Sequence, residues 1–149
     1  GNDGGMPAGW HSFGGAGGDG IANSITGSSV FYAGGGGGGS NDGGINAAGG
    51  AGGGGAGGAY KCCGSSCSVG TANTGGGGGG AGGTDGPQNN GCNGGSGVVI
   101  IAYTDGFSDL SAVGSGLTCN GSTGNTTPDT TRSGYKVYKF TAGTGDITF

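Results

Sequence analysis

The chain has 149 residues, of which 49 are glycine, with 30% hydrophobic residues, 8% charged residues and a formal net charge of −4. That length fits a single domain, 1–149, while so few core-forming side chains exclude an ordinary hydrophobic core through the glycine-rich part. Eight aspartates, no glutamate, three lysines and one arginine exclude the clustered basic surface that nucleic acid requires, and no apolar stretch nears the ~20 residues that cross a bilayer.

The N-terminal stretch GNDGGMPAGW has neither an initiator Met nor signal-peptide character, so it reads as processed or as a fragment. Trp10, Phe13, Ile21, Ile25, Val30, Phe31 and Tyr32 supply most of the apolar surface before residue 34 and are expected to flank and cover the glycine tracts. The tracts follow at 34–39, 49–58 and 75–83, nearly pure in Gly and Ala. Glycine loses more backbone freedom on ordering than any other residue, so each tract must recover that cost through backbone contacts.

Three outcomes compete for such tracts: a flexible linker, silk-like stacking and polyproline-II-type rods. A linker needs no interruptions bearing Ile45, Tyr60 and cysteines, and silk wants longer regular repeats. Collagen is excluded because six-glycine runs break the Gly-X-Y register and there are only three prolines. A left-handed helix with three residues per turn turns its amides and carbonyls outward, and glycine alone lets neighbours approach on every side. Nine residues at about 3.1 Å each make a rod of roughly 28 Å. The expected architecture over 14–97 is therefore a packed bundle of polyglycine-II rods, with the interruptions as capping turns.

VVIIAY (98–103) reads as a buried strand and YKVYKF (135–140) as a second, with Lys136, Tyr138 and Phe140 on one face. Between them runs a long polar connection pinned by Phe107, Leu110 and Leu117, and DITF (146–149) is a candidate third strand. The fold class is irregular and all-β-like, rods flanked by short strands in 98–149, with almost no α-helix.

The inventory argues against an enzyme: one histidine, no glutamate, and no carboxylate patterned beside a nucleophile or base. No GKS or GKT follows any tract, so phosphate-loop chemistry is not expected. Cys62, Cys63, Cys67 and Cys92 match no common zinc spacing, so disulfides among them, in undetermined connectivity, are preferred to a metal. No cofactor is expected. With Cys119 the cysteine count is five, leaving at least one unpaired or intermolecular. Asn120-Gly-Ser and Asn125-Thr-Thr are acceptor sequons for N-glycosylation. The edges of the apolar strands predict a homo-oligomer, with Tyr138, Phe140 and Phe149 as subunit-contact candidates and a head-to-tail fibre as one product.

The tracts, GGSGVVIIAY (94–103) and the terminal TTRSGYKVYKFTAGTGDITF (130–149) together resemble the glycine-rich domain of bacteriophage tail-fibre proteins, including distal adhesins of the polyglycine-II sandwich type. The resemblance implies an extracellular virion protein whose loops bind a host-surface protein or glycan. The loops at 40–48, 59–74 and 84–93 and the 10–13 region would carry that role, with Trp10, His11, Tyr60, Asn89 and Asn90 as candidates. Such domains open with an apolar strand where this chain has GNDGG, which implies a missing segment or assembly with another chain. A self-assembling extracellular fibre is the competing reading, and an ice-binding protein a weaker one.

Overall fold

A residue without a side chain can bring its backbone against a neighbouring backbone in any direction, and the glycine-rich part of this protein is organised by that property. The computed structural model describes residues 13–41, 45–59, 66–83 and 90–149. The chain divides into two compact units, one of residues 1–22 and 31–97, the other of residues 23–30 and 98–149. Among the described residues there is no helix, and the strands are short.

In the first unit the backbone is extended but mostly outside any strand, in segments 14–20, 34–40, 45–51, 52–58, 66–71, 75–81 and 90–96. Segment 34–40 donates to 52–58 through Gly34→Gly52 at 3.0 Å, Gly37→Gly55 at 2.9 Å and Ser40→Gly58 at 2.9 Å. Segment 52–58 donates to 75–81 through Gly55→Gly77 and Gly58→Gly80, and 75–81 donates back to 34–40 through Gly77→Gly34 and Gly80→Gly37. These three run in the same direction and close a triangle. The other four run oppositely, as in Gly35→Gly18 with Gly38→Gly15, Ser68→Ala56 with Thr71→Gly53, and Cys92→Gly79 with Gly95→Gly76. Bonds to any one neighbour recur every third residue, where a β-ladder would repeat every second.

Side chains obey the same interval. Phe13, Ala16 and Asp19 are exposed, as are Ile45, Ala48 and Ala51, then Ser66, Val69 and Ala72. At glycines that face other segments a Cβ would meet backbone: at Gly36 it would lie 1.9 Å from the Gly78 carbonyl oxygen, at Gly79 1.8 Å from that of Ala56.

Two sequence expectations need correction. The tract at 49–58 is not one rod, because the chain turns over 51–53, with Gly52 and Gly53 at φ of +99° and +92°. The interruptions are not only caps. Residues 45–48, 66–71 and 90–93 continue the bonded segments, since any residue fits where its side chain points outward.

β1 (Ile21–Asn23) and β2 (Val30–Tyr32) form a two-stranded sheet. In the second unit, β3 (Val99–Thr104) pairs antiparallel with β7 (Tyr135–Ala142) from Val99↔Phe140 to Thr104↔Tyr135. β7 also pairs with β5 (Thr118–Cys119), which pairs with β6 (Ser122–Thr123), giving the order β3-β7-β5-β6. The step from Cys119↔Phe140 to Thr118↔Ala142 leaves Thr141 as an extra residue on β7, a bulge. β4 (Ala112–Val113) pairs with β8 (Ile147–Thr148).

The core joins Leu110, Val113, Cys119, Tyr138 and Phe140, with Ile101, Tyr103, Leu117 and Ile147 against it. β3 was expected to be buried. It is half-buried instead, because it is an outer strand of its sheet. The expected polar connection holds β4, β5 and β6 and contributes Leu110, Val113 and Cys119 to the core.

Two stability results follow. Gly36→Val should cost about 3 kcal/mol or more from overpacking, whereas Gly97→Val, where an added Cβ meets nothing within 4 Å, should cost under ~1 kcal/mol. Equal unfolding midpoints for the two variants would contradict the segment packing. In the second unit the buried Tyr138 hydroxyl accepts the Leu110 amide at 3.1 Å, so Tyr138→Phe should lower the denaturant-unfolding free energy by about 1–2 kcal/mol.

Candidate functional site

Three aromatic side chains converge on one side of the second unit. β3 carries Tyr103 towards its end, the turn after β3 carries Phe107, held by Phe107 N→Thr104 O at 3.2 Å, and Phe149 follows β8. Tyr103 is the hub. Its ring lies 6.5 Å from Phe107 edge-on, 5.9 Å from Phe149 tilted, and 5.8 Å from the buried Tyr138 in a stack. Phe107 and Phe149 are 68% and 69% exposed.

The rings border an open cavity of about 580 Å³ lined by Ile101, Ala102, Tyr103, Phe107, Ser108 and Phe149. Polar contacts hold the wall in place: the Tyr103 hydroxyl donates to the Ser108 carbonyl at 3.1 Å, and Lys136 Nζ donates to the Phe107 carbonyl at 2.6 Å and pairs with Asp109 at 2.6 Å. Ser111 Oγ reaches the Thr148 and Phe149 carbonyls at 3.3 and 3.4 Å. These lining side chains include no carboxylate, thiol or imidazole. They offer ring faces, aliphatic surface and two hydroxyls.

Burial pushes the Tyr103 phenol above its ordinary value, and the Tyr138 hydroxyl and the Asp109 carboxylate add to the rise. Burial likewise raises the Cys119 thiol, partly countered by the Lys139 backbone hydrogen bond. Hydrogen bonds from the Thr131 side chain and amide lower the Asp129 carboxyl.

Of the residues singled out from sequence, Trp10, His11, Tyr60, Asn89, Cys62 and Cys63 lie outside the described residues. Asn90 is exposed, its carbonyl 3.6 Å from Cys67 Sγ. Cys67 and Cys92 form a disulfide with Cα atoms 5.7 Å apart, joining segments 66–71 and 90–96. Cys119 is a buried free thiol. Tyr138 and Phe140, taken from sequence as subunit contacts, are buried in their own unit at 0% and 9% exposure. Only Phe149 of that set is exposed.

Asn120 Nδ2 donates to the carbonyls of Thr127 at 3.0 Å and Val137 at 3.1 Å, and its Oδ1 accepts the Lys139 amide at 2.8 Å. Asn125 Oδ1 accepts the Thr127 amide at 2.9 Å. The nitrogen that a glycan would occupy at Asn120 is thus already spent on the fold. The sequence reading missed the cleft, and the available signal was Tyr103, Phe107 and Phe149 in a chain with only eleven aromatic Phe, Tyr and Trp residues.

A family model described as a glycine-rich domain matches residues 1–104. The chain belongs to this family. No curated protein and no solved structure matches it significantly. The match takes in the glycine-rich segments and β3 but stops before Phe107 and Phe149, so the glycine-rich domain supplies part of one cleft wall and the remaining wall comes from the C-terminal residues.

The Cys119 thiol and the Tyr103 phenol both hold their protons more tightly when folded, so the stability they contribute is intact below their unfolded values of about 8.5 and 10 and is lost as pH rises from there through the higher folded values. Unfolding midpoints should fall on the alkaline side. Native Cys119 should react with a thiol reagent only as fast as the second unit opens, and rapid labelling of the folded protein would refute its burial.

Proposed function

We propose that this chain is a non-catalytic binding protein, an adhesin of an extracellular or virion fibre, in which a polyglycine-II scaffold holds recognition surfaces that engage a host-surface protein or glycan. The carrying observation is the three-residue interval of the bonds between glycine segments, the period of a polyproline-II-type helix and not of a strand. The pairings are those of a two-row sandwich, with 14–20, 34–40, 75–81 and 90–96 in one row and 45–51, 52–58 and 66–71 in the other. A scaffold fixed by backbone bonds on several sides suits recognition, because loops on a rigid frame lose little freedom on binding. The Cys67–Cys92 disulfide favours an oxidising location.

The aromatic cleft is the recognition surface best supported among the described residues. Exposed Phe and Tyr rings give large contact area at low entropic cost, and a volume near 580 Å³ lies within the range of ordinary ligand sites. A sugar ring or an apolar side chain of a surface protein fits that lining.

A second reading, a self-assembling fibre subunit, is favoured by one feature. Among the described residues no strand pairs with the outer edge of β3, where Val99 is exposed. Sedimentation separates the two, since filaments at micromolar concentration support the fibre and discrete particles support the adhesin.

The direct test is adsorption of labelled protein to host cells and to arrays of surface glycans. Phe107→Ala and Phe149→Ala should each weaken binding about tenfold or more while leaving the unfolding midpoint nearly unchanged, because both rings are exposed. Unchanged binding by the double variant would remove the cleft from the proposal. For the scaffold, NMR of residues 34–39 and 76–81 should give φ near −75° and ψ near +145°, and β-ladder dihedrals would overturn it.

A further inference from the structure

An asparagine followed by glycine is the dipeptide in which the next backbone nitrogen most easily reaches the side-chain carbonyl carbon, because glycine brings no side chain to obstruct the approach. This chain has three such pairs, Asn90–Gly91, Asn93–Gly94 and Asn120–Gly121. The fold treats them unequally.

Asn120 is strapped on both ends of its amide, by the Thr127 and Val137 carbonyls and the Lys139 amide, at 2.8 to 3.1 Å. Its side chain cannot rotate towards the Gly121 nitrogen without breaking all three bonds. Asn90 and Asn93 are exposed on segment 90–96, as are Gly91 and Gly94. Among the described residues neither asparagine side chain has a hydrogen-bond partner, and neither glycine amide donates to a carbonyl. The segment is held instead by the neighbouring residues, through Cys92 N→Gly79 O at 2.9 Å and Gly95 N→Gly76 O at 2.8 Å, and by the Asn93 main-chain carbonyl, which accepts the Gly70 amide at 2.9 Å. The three-residue interval thus secures the backbone while leaving both reactive pairs on the outside.

We propose that Asn90 and Asn93 are sites of spontaneous deamidation, and that Asn120 is protected by its strap. The glycine amide nitrogen gives its proton to hydroxide and attacks Cγ. The new N–Cγ bond forms, the Cγ–Nδ2 bond breaks, and Nδ2 takes a proton from water and leaves as ammonia. Water then opens the five-membered imide. Opening at the side-chain carbonyl yields aspartate, and opening at the backbone carbonyl yields isoaspartate, in which the chain continues through the side-chain carbon. Water is the only co-reactant, and nothing is oxidised or reduced.

Each conversion adds one negative charge to a chain already at −4. Isoaspartate at position 93 also inserts a backbone atom between Cys92 and Gly95, so their bonds to Gly79 and Gly76 can no longer both keep register. An outward side chain is free to vary here, but an added backbone atom is not. The edge segment that Cys92 ties to Cys67 would loosen as the protein ages.

The test is ageing of the intact protein at mildly alkaline pH and body temperature, followed by peptide mapping for the mass gain of amide-to-acid conversion. In native protein, conversion at Asn90 and Asn93 should outpace that at Asn120 by about tenfold or more, the protection expected of a group that reacts only on local opening. In protein denatured and reduced, the three sites should convert at similar rates. Gly91→Ala is the site-specific control. A Cβ there meets the Gly79 carbonyl oxygen only at an ordinary 3.5 Å, so the variant should fold, lose most conversion at Asn90 and keep it at Asn93. Native protein in which Asn120 converts as fast as the other two overturns the proposal. So does native protein in which Asn90 and Asn93 stay intact while the denatured chain converts.

Discussion

The donation of a glycine amide to the carbonyl of a neighbouring segment, repeated every third residue, is the interaction on which the first unit depends. Each bond requires two backbones at about 2.9 Å between nitrogen and oxygen, and that distance leaves no room for a Cβ on the facing side. The Cβ positions at Gly17, Gly36, Gly39 and Gly57 would all fall within about 2 Å of a carbonyl oxygen. The absence of side chains is therefore what permits packing. The usual roles are reversed: backbone supplies most of the interior, with only small side chains such as Ser40, Ala47 and Ala59 buried in it, while Phe13, Ile45 and Val69 are exposed. Glycine makes this arrangement costly in conformational entropy, which is why a disulfide between segments 66–71 and 90–96 matters to a unit with so little apolar burial.

The second unit follows ordinary rules. Its interior is made of Leu110, Val113, Cys119, Tyr138 and Phe140, and polar groups are satisfied where they are buried. Asn120 stands in for a missing stretch of ladder, at a φ of +45° that few residues adopt. With its side chain it meets the Lys139 amide and the Val137 carbonyl beside β7, and with its backbone amide it reaches the Lys139 carbonyl. Arg132 fastens the loop 24–29 in this unit, with its guanidinium 3.6 Å over the Tyr135 ring and its Nη1 3.3 Å from the Ile25 carbonyl.

Between them the two kinds of packing suggest a division of labour. Backbone bonding gives rigidity but no chemical character, since a glycine surface offers neither charge nor ring. Ring surface comes from side chains, and among the described residues the exposed Phe107 and Phe149 rings gather around the half-buried Tyr103. Rings left in water in a chain with so few of them are a cost to solubility that binding would offset.

The sequence by itself determined the composition-driven features. Pure Gly and Ala tracts excluded a side-chain core, the clustered cysteines supported a disulfide, and the β-branched and aromatic runs at 98–103 and 135–140 became β3 and β7, because each of these signals is local. The interval of three was also written there, in Phe13, Ala16 and Asp19 and again in Ile45, Ala48 and Ala51, though it reads as interruption until the bonding pattern is known. Only the tertiary structure decided where the 49–58 tract turns, that Cys67 pairs with Cys92, and that two-residue strands inside a polar connection complete the second core. It also decided that Tyr138 and Phe140 point inward while Phe107 and Phe149 meet across a cleft. Glycine carries no side-chain pattern to mark its neighbours, and residues far apart in the chain meet through long-range packing, so neither partner choice nor the cleft is encoded in any short stretch.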